Sequence, residues 1–112
     1  LLISPDLIAY FRSLPFADSS FPVVVFDPPH LERVGQSAWM GKKYGRLNKK
    51  TWRSDLRAGF KEAFRVLWPH GVLIFKWNET QIPVSQILAL TDAIGQRTGK
   101  NDKTHWILFV KD

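Results

Sequence analysis

Phe21-Pro22-Val23-Val24-Val25-Phe26-Asp27-Pro28-Pro29-His30 is the stretch on which the fold turns. Its first six residues are apolar on both faces and rich in β-branched side chains, the pattern of a parallel strand covered by helices on both sides. The run stops at Asp27-Pro28-Pro29. Ligands of parallel α/β sheets collect at the carboxyl ends of strands, which makes Asp27 the leading candidate for a functional residue. Each proline fixes its own φ and lacks an N–H, and Pro29 biases Pro28 toward an extended conformation, so the turn offers backbone acceptors without a competing donor. One carboxylate beside such carbonyls can hold the two hydrogens of an amino group and leave the nitrogen lone pair aimed at an electrophile. His30 can stack on a planar base or add a hydrogen bond. A plain strand-ending turn has the same composition, so the neighbouring residues must decide.

Upstream, Asp6-Leu7-Ile8-Ala9-Tyr10-Phe11 predicts a short strand, and Leu14-Pro15-Phe16-Ala17-Asp18-Ser19-Ser20 a loop broken by Pro15 and the Asp-Ser-Ser cluster. Downstream, residues 31–50 hold Gly35, Gly41 and Gly45 with no regular period. An irregular connection of that length directly after the acidic turn is expected to be functional. From Trp52, apolar residues recur at Leu56, Phe60, Ala63, Phe64 and Leu67, with Arg53, Arg57, Lys61 and Arg65 on other faces. This is a helix, ended by Trp68-Pro69-His70-Gly71. Val72–Trp77 follows as a second buried strand. Its Lys76 snorkels, pairs with an acid or lies near the site. Pro83 opens a predicted helix over Val84–Ile94, a polar turn rich in Gly and Lys comes next, and His105–Val110 closes the chain as a strand with His105 at an edge. His70 and His105 receive no role. The succession predicts an α/β domain with a mostly parallel sheet flanked by helices.

Two blocks resemble one known family. Leu14-Pro15-Phe16-Ala17-Asp18-Ser19-Ser20, the apolar strand and Asp27-Pro28-Pro29-His30 are similar to the loop, strand and "Pro-Pro-aromatic" turn of class I S-adenosylmethionine-dependent methyltransferases of the amino-methylating type. Phe64-Arg65-Val66-Leu67-Trp68-Pro69-His70-Gly71-Val72-Leu73-Ile74 looks like that family's "RVLKPGG" turn and the next strand. The resemblance implies a Rossmann-like methyltransferase fold, S-adenosylmethionine as cofactor and no metal. It maps Asp27, Pro28, Pro29 and His30 onto the motif that orients the target amine. It also places Leu14 and Asp27 near the cofactor. Tyr10 stands where the family often has an acid near the adenine, so Tyr10 and Phe11 either pack on adenine or are core aromatics. The family's Gly-rich first loop has no counterpart here, and Leu1 is not an initiator methionine, the only Met being Met40. Residues 1–112 are therefore expected to be one methyltransferase domain, truncated at its N-terminus and lacking its first strand-loop-helix unit.

The formal net charge is +6, with a pI near 9.9. The excess is concentrated. Arg33, Lys42, Lys43, Arg46, Lys49, Lys50, Arg53, Arg57, Lys61 and Arg65 face only Asp55 and Glu62 within one stretch. Trp39, Tyr44 and Trp52 are interleaved with them, as a surface needs if it is to hold phosphates and stack bases. Trp39, Lys42, Lys43, Tyr44, Arg46, Lys49 and Lys50 are thus candidates for nucleic-acid binding, against the alternative of a solvated helix face and loop. The expected reaction is methyl transfer to the exocyclic amine of a base, adenine favoured, in DNA or RNA, the base being flipped if it lies in a duplex. The alternatives are a small-molecule or protein-amide substrate, or a non-catalytic nucleic-acid-binding module. With no Cys, disulfides and thiolate chemistry are excluded, and a cytoplasmic location is expected. No apolar run approaches the roughly 18 residues of a membrane span, and no membrane partner is expected.

Overall fold

Burial alternates along each central strand, and that alternation decides which side of the sheet becomes core. The computed structural model describes residues 2–3, 11–30 and 47–112. Within them one sheet is built from β1 (Leu2–Ile3), β2 (Phe21–Phe26), β3 (Leu67–Asn78), β4 (Gln96–Asn101) and β5 (Thr104–Val110), in the order β1-β2-β3-β5-β4. Helix α1 (Trp52–Val66) connects β2 to β3, and α2 (Val84–Leu88) is a single short helix after β3. The predicted strand over Asp6–Phe11 lies outside the described residues except for Phe11.

The sheet is mixed, which corrects the expectation of a mostly parallel one. β1, β2 and β3 run parallel, while β3 with β5 and β5 with β4 are antiparallel. The reversal comes from the C-terminal hairpin. Its turn holds Asp102 at φ 56°, a left-handed conformation that Asp tolerates. β4 is a strand where a polar turn was predicted. Its six residues are almost all exposed, so no hydrophobic alternation announces it. β5 consequently lies inside the sheet, and His105 is not on an edge.

Val24 and Phe26 of β2, Leu73, Phe75 and Trp77 of β3, and Ile107 and Phe109 of β5 are buried on one face. Against that face α1 sets Trp52, Leu56, Phe60, Ala63 and Val66. Phe26 is the centre of the contact: Phe11 and Phe60 meet its ring edge-on at 5.7 and 5.4 Å, and Phe75 lies tilted at 5.7 Å. On the opposite face Val23 remains 43% exposed and Val25, Val72 and Ile74 are half-buried. Among the described residues, then, β2 is covered by a helix on one side, where two were predicted.

β3 begins at Leu67 rather than Val72. The Trp-Pro-His-Gly segment is absorbed as an irregularity between the pairs Phe21↔Leu67 and Val23↔Val72, with His70 at φ 63°. α2 stops well short of the predicted Ile94. Leu90 and Thr91 donate to Ile87 and Leu88 carbonyls three residues back, and Thr91 Oγ1 accepts from Ala93 N, so a polar turn outcompetes the helix.

The loop before β2 is fastened to α1 by Arg65. Its guanidinium donates to the carbonyls of Leu14 and Phe16, to Asp18 Oδ1 and to both carboxylate oxygens of Glu62, at 2.6–3.1 Å. Glu62 in turn accepts from Leu14 N at 2.8 Å, and Ser19 N and Ser20 N donate to the carbonyls of Arg65 and Val66. The Arg65 hydrogen bonds are the main reason that the Glu62 carboxyl is held below its ordinary range, against an opposing effect of burial.

Two outcomes follow from this packing. A Cβ added at Gly59 would lie 2.6 Å from Phe26 Cζ, a ring already enclosed by three others. Gly59→Ala should therefore lower stability by about 1–3 kcal/mol in urea unfolding, although helix propensity alone favours Ala by about 1 kcal/mol. Arg65→Met should destabilise the fold most above the ordinary carboxylate range, where Glu62 is ionised in both folded and unfolded states. The gap between variant and wild type should narrow as pH falls through the depressed Glu62 value, as followed by thermal melts across pH.

Candidate functional site

β2 and β3 are parallel neighbours, so their carboxyl ends share one edge of the sheet. α1 runs directly into the start of β3, and its amino-terminal end is thereby returned toward that same edge. Asp27 follows β2 there. Its side chain is half-buried, Pro28 and Pro29 are buried, and His30 is half-buried. The His30 ring meets Trp77 edge-on at 6.3 Å, and Trp77 stacks on Phe75 at 6.1 Å while its Nε1 donates to the Ile82 carbonyl. The DPPH turn is thus seated on the aromatic end of β3.

Lys76, one residue before Trp77, lies on the face turned away from α1. Its Nζ is 4.0 Å from Asp27 Oδ2. Burial raises the Asp27 carboxyl above its ordinary range, and the charge of Lys76, followed by the electrostatic influence of the His30 imidazole, opposes that rise. Burial lowers the His30 imidazole, Asp27 counteracts this and Lys76 reinforces it. Asp27 and His30 thus act on each other, and Lys76 acts on both. Such a carboxylate can accept hydrogen bonds from an amine, and the prolines beside it cannot donate.

Phe11 and Leu14 are set in the core, Phe11 against Phe26 and 2% exposed. This is the core-aromatic alternative already open for Phe11. Tyr10, Trp39, Lys42, Lys43, Tyr44 and Arg46 lie outside the described residues. Lys49 and Lys50 are exposed immediately before α1. Trp52 does not join them as a stacking surface: it is 2% exposed in the core, with the Arg53 guanidinium 4.3 Å from its ring centroid. Its i, i+4 relation to Leu56 and Phe60 was the signal for that placement. Among the described residues no group of three or more His, Cys, Asp or Glu is arranged to hold a metal.

Sequence reasoning passed over a second polar pair near this edge. His105, 2% exposed, shares a 2.6 Å hydrogen bond between its Nε2 and Glu79 Oε2. Glu79 is held below the ordinary carboxylate range chiefly by that bond, with help from the Val84 N–H. The pair ties β5 to the turn after β3.

No family model and no curated protein matches the chain. Solved structures do. The PH0226 protein of Pyrococcus horikoshii is similar at a TM-score of 0.61 and 13% identity, over 91% of this chain and 57% of that one. TTHA0409 of Thermus thermophilus, described as a proposed DNA modification methylase, is similar at a TM-score of 0.50 and 17% identity, over 99% of this chain and 53% of that one. At such identities the likeness is one of fold, and the chain spans little more than half the length of either protein.

The electrostatics of the turn can be checked by proton NMR. The His30 ring should titrate below the ordinary histidine range, and Asp27→Asn, which removes the opposing negative charge, should move it lower still.

Proposed function

We propose that this chain is the acceptor-binding part of an S-adenosylmethionine-dependent N-methyltransferase domain acting on the exocyclic amine of a base in nucleic acid, adenine favoured. The observation that carries the proposal is Asp27, a half-buried carboxylate at the carboxyl end of a parallel strand, followed by two buried prolines and coupled to Lys76 and His30. The fold likeness to a proposed DNA modification methylase supports it.

In this reading Asp27 accepts one N–H of the target amine and a carbonyl of the Pro-Pro turn accepts the other. The nitrogen lone pair is left pointing away from both. His30, uncharged and braced on Trp77, lies beside the base. Asp27 and the turn supply position rather than deprotonation, and positioning alone is worth several orders of magnitude in rate. When bound, S-adenosylmethionine supplies a methyl group on a positively charged sulfur that takes up the electrons of the broken C–S bond. Nitrogen forms the new bond, and its surplus proton passes to water. The acceptor residues fit this chemistry. Lys49 and Lys50, exposed beside α1, contact phosphates together with the basic residues preceding them.

Methyl transfer from labelled cofactor to DNA and RNA, measured with the full-length protein, tests the proposal. Asp27→Ala should reduce kcat about 100-fold, the scale of a misplaced reacting group. Equal rates sink the assignment. A steep fall in nucleic-acid affinity with salt is expected, whereas a flat response points to a small neutral substrate.

A further inference from the structure

Lys76 interrupts the apolar run of β3, where a charge is costly unless it finds partners. Alternation turns it to the face opposite α1. Register then sets it beside the end of β2 on one side and directly across from Trp106 of β5 on the other. Its Nζ lies 5.1 Å from the Trp106 ring centroid and 4.0 Å from Asp27 Oδ2. The first distance is that of a cation over an aromatic face. The second is too long for a hydrogen bond and short enough for charge attraction, moderated by the partial exposure of both side chains.

We propose that Lys76 is a positioning residue of the amine site: braced on Trp106, it fixes the Asp27 carboxylate by charge from the β3 side without occupying the hydrogen-bonding positions that the target amine needs. The inference rests on the methyl-transfer reading above. A carboxylate has about four acceptor positions, and an ammonium at hydrogen-bond distance would take one of them while pulling the carboxylate toward itself. At 4.0 Å it does neither. Lys76 also acts on both members of the turn in the useful direction, favouring ionised Asp27 and neutral His30. One cation thereby selects the acceptor carboxylate and the uncharged ring together. The charged and titratable groups acting on Asp27 among the described residues are Lys76 from β3 and His30 from its own turn.

The test compares wild type, Lys76→Met and Lys76→Arg in the full chain. The Asp27 carboxyl carbon is followed by NMR across pH, and methyl transfer to DNA and RNA is followed over the same range. In Lys76→Met the Asp27 midpoint should move upward and the acid limb of the rate profile should move with it, giving a several-fold loss at acid pH that alkaline pH restores. Lys76→Arg should keep both near wild type. An unmoved Asp27 midpoint overturns the inference, as does a moved midpoint with an unmoved rate profile. Inactive wild-type protein sinks the methyl-transfer reading instead, while the midpoint comparison still decides whether Lys76 holds Asp27.

Discussion

The Arg65 guanidinium is the point at which two distant stretches of chain become one structure. It binds two carbonyls and a carboxylate of the loop before β2, and the Glu62 carboxylate of its own helix. A planar group with five donors is suited to such a junction, because it meets several acceptors without changing its rotamer. Exposed ion pairs are individually weak. Here the gain is geometric: the loop enters β2 at a fixed height relative to α1, so Phe26 meets Phe60 across Gly59 and Asp27 emerges at the correct edge. The two sequence blocks that carry the family resemblance are the two halves of this clamp.

β3 is the seam of the sheet. Its neighbour β2 runs parallel to it, and its neighbour β5 antiparallel. The carboxyl end of a parallel pair therefore abuts strands of the C-terminal hairpin, which is how Trp106 and His105 come to flank residues of β3. Lys76 and Trp77 point to opposite faces at this seam, one toward Asp27 and the other toward His30. Two consecutive residues of one strand thus address both ends of the DPPH turn.

α1 was legible because its apolar residues recur at the helical period, and β2 and β5 because each is a short, nearly unbroken run of β-branched, aliphatic and aromatic residues. Asp27's place at the end of a central strand followed from the same pattern. Strand direction was not legible, since order along the chain does not distinguish a parallel return from a hairpin. β4 was hidden because its residues are polar and exposed, and its pairing depends on backbone bonds that any side chain permits. α2 was overextended because the apolar spacing continued past Leu88 while Thr91 supplied a competing local hydrogen bond. The link between Lys76 and Asp27 was only one of three options for that lysine, because register across two strands is a tertiary fact. His105 acquired its Glu79 partner by the same route.

The polar character of β4 has a consequence for the molecule among its neighbours. Gln96-Arg97-Thr98-Gly99-Lys100-Asn101 forms an edge whose outer backbone groups are free of any strand partner among the described residues. Such an edge is a template on which another chain can add a strand. Two cations and a register shift between Arg97 and Gly99 make this one a poor template, since an incoming strand meets repulsion and a broken ladder. A strand that contributes little to the core thereby guards this edge of a sheet rich in valine and phenylalanine.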